Sequence, residues 1–102
     1  MPRYGLTGKM IAQPGQRDAL VALLLEASRQ VAEVPGCEVY IIAASPAEPD
    51  AIWITEVWAS KDAHDASLAV PAVQATIARA RPLIAGFGER FESVPLGGKG
   101  LA

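Results

Sequence analysis

The chain is poor in the residues that build dense reactive centres. Its 102 residues include one histidine, His64, and one cysteine, Cys37. A single cysteine cannot close a disulfide within the chain and offers no metal cluster, which fits a reducing compartment. Without a CxxC motif or a basic run nearby, Cys37 reads as inert. Basic runs are missing too: nine basic and eleven acidic side chains leave a net charge of −2. Nothing therefore supplies the phosphate-neutralising footprint of a nucleic-acid binder. No apolar stretch approaches the roughly 20 residues of a membrane helix. The opening "MPRYGLTGKM" lacks the apolar centre of a signal peptide. A cytoplasmic protein with no membrane partner is expected. Gly97, Gly98 and Gly100 precede no helix, so they form no phosphate loop.

What the chain does have is apolar surface. Hydrophobic residues make up 51% and charged residues 20%. A domain of this length has much surface and little interior, so the surplus points to burial against a partner. Residues 4–12, "YGLTGKMIA", read as a strand. Residues 16–34 read as a helix, with Leu20, Leu24, Ala27, Val31 and Val34 spaced along one face. "PG" at 35–36 ends it. Residues 37–45 and 51–58 read as strands, separated by the Pro-rich loop "PAEPD". In the second, Ile52, Ile54, Glu56 and Trp58 share one face, and Trp53, Thr55 and Val57 the other. Both faces are largely apolar, so both need cover.

Ser60 is a good N-cap and Asp62 suits a first turn, so a helix starts at about residue 61. Pro71 favours a break near Val70 and a fresh start. The helix then runs to about Ile84, with Gly86 closing it. Residues 87–94 read as the last strand, with Phe87 and Phe91 on one face. The order is strand, helix, strand, strand, helix, strand. That is the ferredoxin-like βαββαβ pattern of an α+β protein with a four-stranded antiparallel sheet. Residues 1–94 form the expected single domain, and 95–102 a flexible Gly-rich tail. One sheet face remains bare and apolar. Its simplest cover is a second copy, giving a homodimer through the sheet face and a shared barrel.

At this point the chain resembles the antibiotic biosynthesis monooxygenase family of the dimeric α+β barrel superfamily. "EVWASKDAHDASLAVPAV" is similar to that family's run of acid, Trp, short helix and Pro, with Glu56, Trp58, Ser60, Lys61, Ala63, Leu68 and Pro71 matching. "VPGC" resembles the family's "EPGC", through Pro35, Gly36 and Cys37. "QPGQRDAL" resembles its usual lead into the first helix. The likeness covers roughly residues 4–92. It implies a small homodimer that adds oxygen to quinols or phenolic polyketides without flavin, haem or metal. In such chemistry the deprotonated substrate reduces dioxygen itself. The protein binds the ring in a dry pocket and assists deprotonation.

One departure matters. The family's helix histidine often falls nine positions after the strand Trp, where this chain has Ser67. His64 stands one helical turn earlier, so the family's histidine role does not pass to it directly. The Asn, Trp and His set of haem-degrading relatives is also incomplete, because the chain has no asparagine.

His64 is nonetheless the candidate base. It shares a helix side with Leu68, and a neutral imidazole could take a phenolic proton. The alternative is a histidine at the helix surface. Trp58, Glu56, Ser67, Leu68 and Phe87 are the candidate substrate-binding residues. Trp58 would stack on a ring or serve as core; Glu56 would hold a base or pair with Arg79, Arg81 or Arg90. Tyr4, Tyr40, Phe87 and Phe91 could line a ring-sized pocket. The expected activity is a cofactor-independent monooxygenase acting on a small aromatic substrate and dioxygen, with no cofactor and no metal. Two alternatives stand beside it: a non-catalytic dimer that binds small hydrophobic ligands or serves in a stress response, and an isomerase or cyclase.

Overall fold

The computed structural model describes residues 2–101. Four strands, β1 (Tyr4–Ala12), β2 (Cys37–Ala44), β3 (Ala51–Trp58) and β4 (Ile84–Ser93), form one sheet in the order β2-β3-β1-β4. Every pairing is antiparallel. Helices α1 (Arg17–Val31), α2 (Lys61–Ser67) and α3 (Pro71–Ala80) cover one face. This is the ferredoxin-like α+β fold that the element order predicts. Among the described residues, no helix is long and apolar enough to cross a membrane.

The helical spacing of apolar residues is what seats α1. Its buried residues are Leu20, Leu24, Ala27 and Val31, all from the predicted face. Leu20 and Leu24 join Ala12, Ile52 and Ala80 in one core cluster. Val31 joins Tyr4, Trp58 and Val73 in a second. Full burial of a large apolar side chain is worth about 1.5–3 kcal/mol, so these two clusters fix the helices on the sheet.

The Pro35-Gly36 turn does more than end the helix. Gly36 has φ +92°, and a Cβ there would sit 2.7 Å from the Cβ of Ala63. Glycine therefore supplies both the left-handed backbone and the room for α2 to approach. Ser60 caps α2 as expected, its Oγ accepting from the Ala63 N–H at 3.1 Å. Pro71 opens α3 after an extended Val70.

Two expectations about the last segment are corrected. Helix α3 stops at Ala80 rather than near Ile84. Pro82 lacks an N–H, and Arg81–Leu83 form a short 3-10 turn. Strand β4 accordingly begins at Ile84, and Gly86 pairs with Ile11 inside the sheet instead of closing a helix. The second correction concerns Phe87 and Phe91, which lie on opposite faces. Gly8 pairs with Arg90 and Met10 with Phe87, so Gly88 and Glu89 together oppose Lys9. That β-bulge reverses the alternation between the two rings. Phe87 faces the helices with Met10, while Phe91 lies opposite Thr7 on the bare face.

The bare face carries Ile41, Trp53, Thr55, Val57 and Phe91. Lys9 crosses it with its Nζ 3.1 Å from both Glu48 and Glu89 and 5.8 Å from the Trp53 ring. After β4, residues 94–101 hold only a bridge between Gly98 and Leu101.

Candidate functional site

Between the helices and the sheet lies a cavity of about 380 Å³. It falls within the range of small-molecule sites. Leu24 and Val31 of α1, Val73 and Ile77 of α3, and Met10 and Ile54 of the sheet make its walls apolar. Its polar groups are few: Tyr40, Glu56, His64, Ser67 and Arg81. Of the residues singled out in the sequence, Glu56, His64, Ser67, Leu68 and Phe87 converge here.

His64 is buried, not at the helix surface; only 9% of it is exposed. Its Nδ1 lies 2.9 Å from Oδ1 of Asp65. Asp65 is held in turn by the Lys61 Nζ at 2.9 Å. That hydrogen bond, and then the one from His64, keep the Asp65 carboxyl below its ordinary range. In the tautomer that donates its Nδ1–H to an ionised Asp65, the Nε2 lone pair faces Glu56 unprotonated. Nε2 is 3.9 Å from Oε1 of Glu56. Tyr4 and Trp58 flank the imidazole at ring-centre distances of 5.1 and 5.9 Å, the latter edge-on. The ring is thus fixed by packing on two sides and by a carboxylate behind.

Glu56 projects from β3 into this apolar surrounding. Burial pushes its carboxyl above the ordinary range, offset in part by a hydrogen bond from Trp58 and by the charges of His64 and Arg90. The Trp58 Nε1–H donates to Oε1 at 3.0 Å. Trp58 itself is fully enclosed and does not line the cavity. Of the two places open to it from sequence, it takes the core, and it reaches the site through Glu56.

Ser67 turns its hydroxyl onto its own helix, donating to the His64 carbonyl at 2.6 Å. Tyr40 faces Glu56 across the β2–β3 pairing. Burial and the nearby Glu56 charge push its phenol well above the ordinary value, so it stays a neutral donor at any physiological pH. Phe87 sits at the rim, and Phe91 lies on the far side of the sheet. Tyr4 packs against His64 outside the cavity, and its hydroxyl donates to Glu92 at 2.7 Å. Among the described residues no three His, Cys, Asp or Glu side chains converge as metal ligands.

The part sequence reasoning missed is Asp65. Its spacing to Lys61 signals an i,i+4 pair, but an adjacent residue bonding the histidine leaves no pattern in the sequence. Chemically, the site offers an imidazole, a carboxyl beside it, a phenol opposite and an apolar-walled, ring-sized space.

Residues 3–79 match the antibiotic biosynthesis monooxygenase family. A crystal structure from Chloroflexus aurantiacus, provisionally named an antibiotic biosynthesis monooxygenase, is 55% identical. The likeness spans 98% of this chain and 99% of that one, with a TM-score of 0.90. A Caulobacter crescentus protein with the same provisional name is 23% identical over 96% of this chain and 92% of its own, with a TM-score of 0.80. SnoaB from Streptomyces nogalater, a cofactor-independent oxygenase, shares the fold at 14% identity and a TM-score of 0.81, over 97% of this chain and 98% of its own. No curated protein matches the chain. With three quarters of its length matched and so similar a relative, the chain belongs to the antibiotic biosynthesis monooxygenase family.

Proposed function

We propose that the protein is a cofactor-independent monooxygenase that oxidises a quinol or phenolic, polyketide-like compound. The observation that carries this reading is a buried His64 with its Nδ1 on Asp65 and its Nε2 beside Glu56, at the wall of an apolar cavity. A phenolic hydroxyl bound there would give its proton to Nε2. The Glu56 carboxylate, when ionised, would stabilise the resulting imidazolium.

The electron-rich phenolate then passes one electron to dioxygen. The radical pair couples at a ring carbon that bears hydrogen, forming a C–O bond and, with a proton, a hydroperoxide. Loss of that carbon's proton with O–O cleavage leaves a carbonyl and releases water. One oxygen atom enters the product, and the other leaves with two hydrogens from the substrate. Apolar walls shield the reactive oxygen species from water.

The same reading includes a homodimer. The bare sheet face supports it: Phe91 and Ile41 are more than half exposed there, beside Trp53 and Val57. A second copy packed face to face would cover them.

Oxygen uptake with a panel of hydroquinones and naphthols tests the activity. The expected result is turnover above buffer for at least one ring, with one atom of labelled dioxygen in the product. No turnover with any ring, together with ligand binding that survives His64→Ala, would make this a binding protein instead.

A further inference from the structure

The cavity does not end at Glu56. A second hollow of about 220 Å³ shares Met10, Ile54, Glu56 and Phe87 with it and continues along β4 to Arg90. The two hollows adjoin along these residues, Glu56 among them. Gly8, opposite Arg90, leaves the floor open, and the arginine stem lies over it.

We infer that Arg90 forms an anionic subsite at the outer end of the second hollow, which takes a carboxylate carried by the phenolic substrate on the side remote from its reacting hydroxyl. The inference rests on the reading that a phenolic ring binds beside His64 and Glu56. It comes from how the charges in the outer hollow are committed. The Lys9 ammonium lies on the opposite, bare face between Glu48 and Glu89, so Arg90 is the cationic side chain on the cavity side of this hollow. Arg90 is held loosely. Its Nη2 is 3.5 Å from the Tyr4 hydroxyl, and its Nη1 is 4.0 Å from Oε1 of Glu92, beyond hydrogen-bond reach. Glu92 already accepts from Tyr4 through its other oxygen. Both contacts are long, so a bidentate carboxylate can displace them. The Arg90 side chain is more than half exposed, so solvent and salt screen the pair.

Calorimetric binding decides it. The probes are a naphthol bearing a carboxylate on the ring remote from its hydroxyl, and the neutral methyl ester of the same compound. Wild type should bind the acid about tenfold more tightly than the ester. Added salt should shrink that ratio. Arg90→Gln should bring it close to one, and Arg90→Lys should restore part of it. A wild-type ratio near one, a ratio that survives Arg90→Gln, or binding of neither probe would overturn the subsite. Oxygen uptake with both probes separates the two ideas. Acid preference without oxygen consumption would sink the monooxygenase reading and leave the subsite. Turnover of the ester without acid preference would do the reverse.

Discussion

The indole N–H of Trp58 donates to a carboxylate oxygen of Glu56, two residues earlier on the same strand face, at 3.0 Å. Trp58, fully buried, thereby fixes a carboxyl that lies 3.9 Å from the His64 Nε2. Trp58→Phe keeps most of the volume and deletes the donor. It should cost about 1–3 kcal/mol and raise the Glu56 carboxyl further. Denaturant unfolding and carboxyl titration by NMR measure both. Unchanged Glu56 titration would deny the coupling.

Glu56 should also leave a mark on stability against pH. Its ordinary value of 4.5 applies to the unfolded chain, and burial raises it in the fold. Between those two values the folded state holds a proton that the unfolded state has lost, so stability falls as pH rises through the window. Glu56→Gln cannot ionise and still offers Trp58 an acceptor. The stability of wild type minus that of Glu56→Gln should therefore decline from pH 4.5 upward and level off above the folded value. A flat difference contradicts the buried, raised carboxyl.

Replacing His64 by Gln should lower oxygen uptake by roughly a hundredfold or more. Asp65→Ala should lower it less, by about tenfold, because the imidazole stays packed by Tyr4 and Trp58 but loses its tautomer lock. Stability should barely change in the second case, since Asp65 and Lys61 are both exposed and solvent screens their pair. Equal rates in wild type and both variants would remove His64 from the chemistry.

Gly36→Ala should destabilise the fold by more than about 1 kcal/mol, through the positive φ and the 2.7 Å approach to Ala63. Adding Ala63→Gly should return part of that loss, because it relieves the contact and not the backbone. Thermal melts of the single and double variants give the comparison. No recovery would place the whole cost in the backbone.

Phe91→Glu should shift light scattering from about twice the monomer mass toward the monomer, since it would bury a charge between sheets. Phe87→Glu, on the other face, should leave the mass unchanged. A wild-type monomer at micromolar concentration would end the barrel argument.

Much of this fold was legible because local chemistry and tertiary packing agree. The spacing of Leu20, Leu24, Ala27 and Val31 named the buried face of α1, and Ser60 and Pro71 marked two helix starts. Alternation in β3 put Glu56 and Trp58 on one face, which the structure turns toward the helices. What stayed hidden depends on pairing between distant segments. The bulge at Gly88–Glu89 needs β1 as its reference, so simple alternation put Phe87 and Phe91 together wrongly. The helix end at Ala80 follows from Pro82, but the competing helical pattern beyond it masked the stop. The partner of His64 was invisible because neighbouring side chains meet only when rotamers and burial turn them toward each other.

The bulge also divides the labour of one strand. Upstream of it, β4 presents Phe87 to the ring-sized cavity; downstream, it presents Phe91 to the bare sheet. A change at Phe87 therefore alters the cavity and leaves the bare face untouched, although both rings sit on ten consecutive residues. A deletion of Gly88 would remove the bulge but also bring the two rings to three positions apart, a spacing at which simple alternation holds them on the same two opposite faces.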